Sequence, residues 1–564
     1  MNKKTLVFLS LIFFLAVGLR FYQLGQNPPS LDWDEASLSY NAYTLLKTGR
    51  DEYGNTWPLS IRSFNDYKPP FYTYFTILPV ALFGLNEFST RFASAFFGSL
   101  TVLLVFFLVR QLFLEDKRFG RQATTLGLLT AFFLAISPWH LQFSRIAFES
   151  NVALFWTVLG TWLFLLGLKK GWPLPLAAAA YSAAMFTYHS SRLVLPVFGL
   201  GLVIFNFKKL FRHKRFVLLS IPILLVTAFL LWYSLRLGGL QARFEKVGIF
   251  SPVHNPGLIE KSIRRLERYP SFLNRLFNNR RVYYFKQIVK GYFDHWNLDF
   301  LYLKGDGQPR HHAVGMGNLY LWELITVTLG VFYLLRYRPA GSYLIWLWFL
   351  TAPLASSLTT GTPGSVRALG MLPTFQIFTS FGLLTFFTKL KKVGVKKLWY
   401  RLLQLGTAGL VVLSFVYYLH LYYRHTPQET SKNWMYGYKQ LVEFVNQNAD
   451  RYQQILVTTE YDQPYIYFLF YRRPLRIVFN PGEFDKGFAF NPPPDCERQL
   501  ATRCAPSTPI LVFRRIDWTQ DSQLKNTLVV GTPQEIPPSA NIIKEIKFLD
   551  GSTAFRLAAT PPTD

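Results

Sequence analysis

The chain has 564 residues, of which 50% are hydrophobic, 18% aromatic and only 16% charged. The low charged fraction and the repeated apolar runs of about 18 residues or more exclude a single soluble domain and indicate a polytopic membrane protein. The formal net charge of +28 does not indicate nucleic-acid binding, because the basic residues fall largely in short loops between apolar segments.

Eleven segments are predicted to be transmembrane helices. The first also resembles a signal peptide, but Arg20 follows its apolar run and no A-x-A-like site is present, so an uncleaved helix is favoured. The predicted spans are residues 5–22, 89–112, 122–138, 145–168, 173–189, 193–208, 215–236, 317–336, 341–358, 366–388 and 399–422.

The loops on one side of these spans are all basic. They read EDKRFGR, KKGW, FKKLFRHKR, RYRPAG and KLKKVGVKK, whereas the intervening loops SPWHLQF and TTGTPGS carry no Lys or Arg. By the positive-inside rule the basic loops are cytoplasmic, and the N-terminus lies with them. Because the number of spans is odd, the C-terminal region is predicted to lie outside the cytoplasm.

Two predicted outer loops are long. The first, about residues 23–88, contains the segment PPFYTYFTILPVALFG, which is short and interrupted by Pro and therefore predicts an interfacial or re-entrant helix. The second, about residues 237–316, is rich in Arg and Tyr and predicts amphipathic helices on the outer membrane surface. A docking surface for anionic lipid or polymer and a simple solvated face are both compatible with this second loop.

The composition divides the chain at about residue 425. Residues 1–424 form the predicted transmembrane domain, and residues 425–564 form a small extracytoplasmic α/β domain. In the latter, NWMYGYKQLVEFVNQNA has helical spacing, and QILVTT, IYFLFY, LRIVFN and PILVFRR are short runs typical of strands. The two cysteines, Cys496 and Cys504, lie in this region and can form a disulfide if it is outside the cytoplasm.

The first outer loop contains an unusual concentration of acids in LDWDEASLSYNAYTLLKTGRDEYG, which runs from Leu31 to Gly54. Asp32 suits a helix N-cap, Glu35 completes a capping-box spacing, and Gly49 suits the C-cap. Asp34 is not needed for this cap, since another acid in the first turn contributes little to helix stability. The pattern therefore predicts a capped interfacial helix with Asp34 as a candidate catalytic acid or base.

Several cations lie at or near the predicted outer ends of helices, where positive charge opposes the orientation rule. Each alone could extend to lipid headgroups. Their number at one depth instead suggests convergence on an anion, and Arg binds phosphate through two hydrogen bonds. They are Lys68, Arg91, Arg145, Arg192 and Arg367, and His189, His311 and His312 lie at similar depth.

One carboxylate with several cations suits the transfer of a sugar from a lipid phosphate. The carboxylate takes the proton of the acceptor hydroxyl, and the cations stabilise the departing phosphate. Other chemistries lack support, because no G-x-x-x-x-G-K-[ST], H-E-x-x-H or C-x-x-C motif is present. The adjacent His311 and His312 are interpreted as loop residues, and no cofactor is expected.

Four motifs then resemble a known family. DWDEASLSYNAY, GRDEYGNTWP, YKPPFYTYFTILPVALFG and EFSTRFASAFFGS occur in the order found in GT-C glycosyltransferases, in the branch that contains protein O-mannosyltransferases and lipid A aminoarabinose transferases. The resemblance covers residues 1–200 strongly and continues more loosely to about residue 425 through SRIAFESN, YHSSRLVLP and GSVRALGMLP.

The resemblance implies a multi-helix GT-C fold with an outward-facing active site and a polyprenyl-phosphate sugar donor. The family's acidic pair falls on Asp34 and Glu35, with the Asp as base. Its phosphate-facing basic residues fall on Lys68 and Arg91, and less specifically on Arg367. In the aminoarabinose transferase an acid precedes this Lys and contributes to a metal site. Tyr67 occupies that position here, so a divalent metal is not supported.

We therefore expect an inverting hexosyl- or pentosyltransferase of the bacterial plasma membrane. Its donor is a polyprenyl-phosphate sugar, and its acceptor is a hydroxyl or amine of a lipid, glycan or protein at the outer face. The alternative is a transporter or lipid flippase, which needs polar or broken helices near the membrane middle. The predicted spans are mostly apolar at their centres, which disfavours that alternative.

Overall fold

The computed structural model describes residues 2–64, 66–236, 248–250, 271–277, 279–473, 488–490 and 510–562, together with residues 260, 264, 267 and 268. The chain forms two compact units. The first comprises Met1–Tyr22, Leu59–Tyr72 and Phe92–Tyr422, and the second comprises Gln23–Pro58, Thr73–Arg91 and Tyr423–Asp564. The second unit thus combines most of the first outer loop with the C-terminal region, whereas the domain boundary near residue 425 stays a prediction.

The first unit is a bundle of helices. The chain passes between the units five times, and two of these passages lie within the α-helices Phe71–Phe83 and Glu87–Phe113. The remaining helices of the bundle are Lys3–Phe21, Ala123–Ala135, Pro138–Ser144, Glu149–Lys170, Pro173–Thr187, Ser191–Arg212, Lys214–Arg236, Phe272–Phe277, Arg280–Asp294, Glu323–Tyr337, Ser342–Thr351, Leu354–Ser357, Ser365–Ala368, Thr374–Lys392 and Lys397–His420. A two-stranded antiparallel hairpin, β1 (Ile61–Ser63) and β2 (Asp66–Lys68), pairs Ile61 with Lys68.

All eleven predicted spans contain a helix, and six of these helices are long and apolar enough to cross a membrane. Two more spans pass the same test only as bent pairs: Gly120–Ile136 with Pro138–Ser144, at 60°, and Ser365–Met371 with Thr374–Lys392, at 48°. The other three form helices of 15, 15 and 10 residues: Pro173–Thr187, Glu323–Tyr337 and Ser342–Thr351. Apolar residues that flank Glu323–Tyr337 and Ser342–Thr351 made these two helices appear longer in the sequence.

Two helices of the bundle cross at a pair of glycines. A Cβ on Gly330 would overlap the backbone carbonyl of Phe378, and one on Gly382 would overlap the carbonyl of Thr326. Glu323–Tyr337 and Thr374–Lys392 can therefore pack backbone to backbone only because both positions lack a side chain. Such small-residue contacts are the usual way in which apolar helices approach closely in a membrane.

The segment predicted to be interfacial or re-entrant is a short helix. Phe71–Phe83 has 13 residues and includes Pro79. At 1.5 Å per residue it is about 20 Å long, which is too short for a hydrocarbon core of about 30 Å. Its length is consistent with the predicted interfacial or re-entrant helix.

The second unit contains a mixed sheet with short helices. The strands are β3 (Gln454–Val457), β4 (Phe488–Phe490), β5 (Ile510–Phe513), β6 (Thr527–Gly531), β7 (Ile542–Lys547) and β8 (Thr553–Ala559), and the helices are Trp33–Thr48, Thr426–Glu429, Tyr438–Asn448, Tyr465–Arg472 and Trp518–Asp521. The sheet order is β4-β5-β3-β6-β8-β7, in which β3 is parallel to β5 and β6 and the other pairs are antiparallel. The hydrophobic core of this unit includes Leu456, Ile516, Val529, Ile536 and Ala558.

One predicted strand of this region is a helix. IYFLFY lies in Tyr465–Arg472, whose residues 465–470 are all buried. Because the segment is buried on every side, its apolar residues show neither helical nor strand periodicity. The strands predicted from QILVTT and PILVFRR, and the helix predicted from NWMYGYKQLVEFVNQNA, are confirmed. LRIVFN, Cys496 and Cys504 lie outside the described residues.

Candidate active site

Three acids of the first outer loop, Asp32, Asp34 and Glu35, lie at the start of the helix Trp33–Thr48, named here the first-loop helix. The Asp32 side chain accepts a hydrogen bond from the Glu35 backbone N–H at 2.8 Å, and Glu35 Oε2 accepts one from the Asp32 N–H at 3.2 Å. Gly49 ends the helix with φ of +70°, a conformation that favours glycine. The predicted capping box and C-cap are therefore confirmed.

Glu35 also forms a buried ion pair with Arg91, and both side chains are 0% exposed. Arg91 Nε donates to Glu35 Oε1 at 2.9 Å, and Nη2 donates to Oε2 at 3.0 Å. The remaining donors bond to the backbone carbonyls of Leu24, Pro28 and Ser30 at 2.6–3.3 Å. These five acceptors match the five N–H donors of a guanidinium.

This arrangement changes the interpretation of two predicted site residues. Arg91 was expected to face the donor phosphate, but its donors are directed at Glu35 and at the loop that precedes the first-loop helix. Glu35 was expected to share the chemistry with Asp34, but both of its oxygens take part in the cap and the ion pair. The geometry favours a structural role for this pair, which holds the helix in place.

Asp34 differs from its two acidic neighbours. Asp32 and Glu35 are both 0% exposed, whereas Asp34 lies in the same first helical turn and is half-buried. At a helix N-terminus the backbone N–H groups stabilise a negative charge. Asp34 is thus the acid of this turn that combines partial exposure with a position suited to a carboxylate.

C-terminal residues contribute to the surroundings of the first-loop helix, a role that the sequence had not indicated. The Tyr467 hydroxyl donates to the Leu31 carbonyl at 3.2 Å, just before the helix begins. The Arg91 guanidinium lies 5.8 Å from the ring centre of buried Trp434. The many aromatic residues of IYFLFY indicate that this segment packs against another surface, but the sequence does not identify that surface as the start of the first-loop helix.

A second ion pair of the same unit involves Glu87, which follows the short apolar helix. Its Oε1 accepts hydrogen bonds from Lys439 Nζ at 3.0 Å and from the Tyr471 hydroxyl at 3.1 Å. Arg473 donates to the Leu85 carbonyl at 3.0 Å. The segment that leads to Arg91 is therefore anchored by C-terminal side chains.

Lys68 and Arg192 belong to the first unit, where their elements are adjacent. Lys68 ends β2 and is only 5% exposed. Its neighbour Tyr67 is hydrogen-bonded through its carbonyl to His189 Nε2 at 2.8 Å. Arg192 follows His189 by three residues, and its Nε donates to the Met185 carbonyl at 3.1 Å. The structure thus brings the strand of Lys68 beside the beginning of the helix of Arg192.

Arg367 follows a turn that is held in place by two other parts of the chain, residues 294–295 and Asp306. The Thr362 hydroxyl donates to Asp294 Oδ2 at 2.7 Å, the Gly364 N–H donates to His295 Nε2 at 3.2 Å, and the Ser365 N–H donates to Asp306 Oδ2 at 2.7 Å. Arg367 itself donates to the Thr359 hydroxyl and, at 2.9 Å, to the Thr360 carbonyl.

Asp306, which supports this turn, is itself in contact with His311, a residue interpreted from the sequence as a loop residue. His311 Nδ1 lies 2.7 Å from Asp306 Oδ2. Burial alone would raise the pKa of the Asp306 carboxyl, but His311 and the hydrogen bonds outweigh burial and hold that pKa below its ordinary value. Asp306 therefore stays ionised and accepts the Ser365 N–H.

Arg367 also lines a groove within the first unit, which has a volume of about 50 Å³. Tyr188, Ser190 and Ser191 lie along the same groove, and Ser191 directly precedes Arg192 in the sequence. Most of the wall is apolar and includes Leu154, Val194, Leu195, Phe198, Trp348 and Ala352. The groove offers a cation to an anionic group and apolar surface to a hydrocarbon chain.

Arg145 and the possible metal ligands complete the predicted set. Arg145 donates to the Tyr422 hydroxyl at 3.0 Å and to the Leu19 and Arg20 carbonyls at 2.8 and 3.2 Å, so it helps to cap the helix Lys3–Phe21. Across the described ranges, no group of three or more His, Cys, Asp and Glu side chains is arranged to hold a metal ion.

The helical bundle, the short apolar helix of the first loop and the small mixed sheet describe a polytopic α-helical membrane protein with a small α/β unit. Residues 67–232 match the family model described as dolichyl-phosphate-mannose-protein mannosyltransferase. This match covers less than a third of the chain. A comparison with curated proteins finds no match.

Solved structures show the same fold over the whole chain. ArnT from Cupriavidus metallidurans in the apo state has a TM-score of 0.53 and 15% sequence identity, and the match covers 98% of this chain and 99% of that chain. The same ArnT bound to undecaprenyl phosphate gives the same TM-score and identity, with 100% of both chains covered. The oligosaccharyltransferase of Archaeoglobus fulgidus gives a TM-score of 0.47 at 14% identity over 85% of this chain and 61% of that chain. The GT-C fold and the resemblance expected from the sequence motifs are confirmed.

Proposed function

We propose that the protein is an integral-membrane glycosyltransferase that moves a sugar from a polyprenyl-phosphate donor to a hydroxyl or amine of a lipid, glycan or protein acceptor. The observation that carries this proposal is the division of roles in the first-loop helix. Asp32 and Glu35 hold the helix, whereas Asp34 presents a partly exposed carboxylate at its N-terminus. The family match and the fold shared with a protein that binds undecaprenyl phosphate support it.

In the proposed reaction, Asp34 accepts the proton of the acceptor O–H or N–H as general base. The acceptor atom forms a bond to the anomeric carbon while the bond from that carbon to the phosphate oxygen breaks. The leaving lipid phosphate keeps the electron pair. Because the second pKa of a phosphate monoester is about 6, this leaving group needs no strong general acid. A single displacement inverts the anomeric centre.

Lys68, Arg192 and Arg367 are proposed to contact the donor phosphate. The groove that contains Arg367 supports this assignment, because it pairs a guanidinium with an apolar wall suited to a prenyl chain. Charge-assisted hydrogen bonds from Arg to phosphate are among the strong ones. Arg91 is reassigned: its bonds to Glu35 and three carbonyls support a positioning role for the first-loop helix.

We also propose that Asp34 and the C-terminal region lie outside the cytoplasm, in a bacterial plasma membrane. The basic loops on the opposite side of the spans support this orientation. A reporter that is active only outside the cytoplasm, fused after Arg424, should be active. An inactive reporter in a stable fusion would contradict the orientation.

The function is tested by incubating the purified protein with a panel of polyprenyl-phosphate sugars and measuring release of the lipid phosphate. We expect release from at least one sugar donor when an acceptor extract is present, and far less release from the Asp34→Asn variant. A protein that moves the intact donor between leaflets without releasing lipid phosphate would be a flippase, and that result would contradict the proposal.

A further inference from the structure

A second polar pocket lies in the first unit, away from the residues proposed to contact the donor. It has a volume of about 190 Å³, and cations from two helix ends line it: Lys169 from Glu149–Lys170, and Lys209 and Arg212 from Ser191–Arg212. Gln111, Glu115 and Tyr343 also lie on its polar side, and Leu112, Leu165 and Leu168 lie on its apolar side. We name it the basic pocket.

The basic pocket is distinct from the proposed donor site because the two lie at opposite ends of one helix. Arg192 is the second residue of Ser191–Arg212, and Arg212 is its last. The 22 residues of this helix correspond to about 33 Å, which is close to the thickness of the hydrocarbon core of a bilayer. Lipid of the opposite leaflet is therefore within reach of the basic pocket.

Two local backbone features lie next to the basic helix ends of the pocket, a kink at Asn206 and a left-handed glycine at Gly171. Asn206 has non-helical angles (φ −121°, ψ 15°) that kink the helix three residues before Lys209 and six residues before Arg212. The kink is held by the Tyr343 hydroxyl, which donates to Asn206 Oδ1 at 3.0 Å. On the other helix, Gly171 has φ of +78° directly after the basic end, and a Cβ there would collide with the ring of Phe216.

The charges of the pocket are only partly neutralised. Glu115 forms an ion pair with Lys169 at 2.5 Å and is itself 68% exposed. Within the described ranges, neither Lys209 nor Arg212 takes part in an ion pair. Basic helix ends are expected on the cytoplasmic side for orientation alone. The convergence of three cations around one cavity with a leucine wall goes beyond that expectation.

We propose that the basic pocket binds the headgroup phosphate of an anionic phospholipid. The cations attract the phosphate, as basic pockets between transmembrane helices do. Near Lys209 and Arg212 in the sequence, Phe207 and Phe211 are 63% and 67% exposed and offer apolar surface that suits acyl chains. This amphipathic lining favours a lipid over free phosphate, because free phosphate has no apolar group to contact the leucine side chains.

The test measures phosphatidylglycerol retained by the full-length protein after purification in detergent, by native mass spectrometry. The double variant Lys209→Gln/Arg212→Gln should retain roughly 30-fold less, and each single variant roughly fivefold less. The control Lys391→Gln/Lys392→Gln neutralises another basic helix end that does not line the pocket, and it should retain lipid like the parent.

Two further measurements distinguish an anionic phospholipid from a neutral-headgroup lipid and from free phosphate. Phosphatidylcholine should bind far more weakly than phosphatidylglycerol, and millimolar inorganic phosphate should not displace the lipid. Equal retention by the double variant and the parent would overturn the proposal, as would a loss of the same size in the control. Displacement by inorganic phosphate would assign the pocket to a free anion and overturn the lipid assignment. None of these readouts requires sugar transfer.

Discussion

Arg91 of the second unit and Arg367 of the first were both predicted from sequence to face an anion, but they differ in burial and in hydrogen-bond partners. Arg91 is 0% exposed and directs its five donors to Glu35 and three carbonyls. Arg367 is half-buried, is supported by the oxygens of Thr359 and Thr360, and lines an open groove. A cation at a helix end is thus a candidate ligand only if no carboxylate elsewhere in the chain already engages it.

The largest expected effect comes from breaking the ion pair on the Arg91 side. Glu35→Gln or Arg91→Met should destabilise the protein by about 3–5 kcal/mol, because each leaves an uncompensated buried charge. The measurement is the free energy of unfolding or, if unfolding is irreversible, the thermal midpoint of inactivation. Combining both changes should recover part of the loss, since the double variant buries no isolated charge. A thermal midpoint unchanged in both single variants would contradict the structural role.

Removing the Arg367 side chain is expected to change the KM for the sugar donor and not the stability of the fold. Arg367→Ala should raise the donor KM by roughly 10- to 100-fold, because a hydrogen bond to a charged group contributes about 1.5–3 kcal/mol. Arg336→Ala removes an exposed arginine that does not line the groove and should leave KM unchanged. If Arg367→Ala destabilises the fold and leaves donor KM intact, the two arginines do not differ in the way proposed.

A smaller effect tests whether the C-terminal side chains support the segment before Arg91. Glu87→Gln weakens the interaction with Lys439, whose side chain is 47% exposed, so the loss of stability should be about 1 kcal/mol. Lys439→Met should cost a similar amount, and the double variant should cost little more than either single one. Fully additive losses would show that the two residues do not interact in solution.

The smallest expected effect is a pH dependence of donor binding that arises from His295, which supports the turn before Arg367. Burial lowers the pKa of the His295 imidazole, the hydrogen bond to Gly291 opposes this, and the charge of Arg367 adds to it. The neutral ring accepts the Gly364 N–H, so protonation breaks that bond. Because the folded pKa lies below the unfolded value of about 6.5, the folded state binds fewer protons, and stability falls as pH falls below that value.

The corresponding measurement is donor KM between pH 7.5 and pH 5. KM should rise modestly at acidic pH in the parent protein. His295→Gln retains an acceptor for the Gly364 N–H but does not titrate, and it should flatten this rise. An identical pH profile in the variant would assign the pH dependence to another group.

Much of the fold could be predicted from the sequence because its signals are local. Apolar run length located all eleven helical segments, and the capping box of Asp32 and Glu35 followed from residue spacing. Helix length was less predictable, since apolar loops extend Glu323–Tyr337 and Ser342–Thr351 in hydropathy alone. The helix of IYFLFY was misread because full burial removes periodicity.

The partners of the candidate site residues could not be predicted in the same way. Glu35 and Arg91 are 56 residues apart, and Ser365 and Asp306 are 59 residues apart. Neither pairing has a local sequence signal, because both depend on how distant segments pack. The sequence identified charged residues at helix ends, but only the structure separated those that hold the fold from those that line a groove.

The most direct test of the account compares Asp34→Asn with Asp32→Asn. Asp34→Asn keeps the side chain's size and removes its charge, and it should reduce sugar transfer by about 10²–10⁴-fold while donor binding is retained. Asp32→Asn should change transfer little, because Asn caps helices nearly as well as Asp. Transfer by Asp34→Asn near the parent rate, together with an inactive but folded Asp32→Asn, would contradict the assignment of Asp34 as the base.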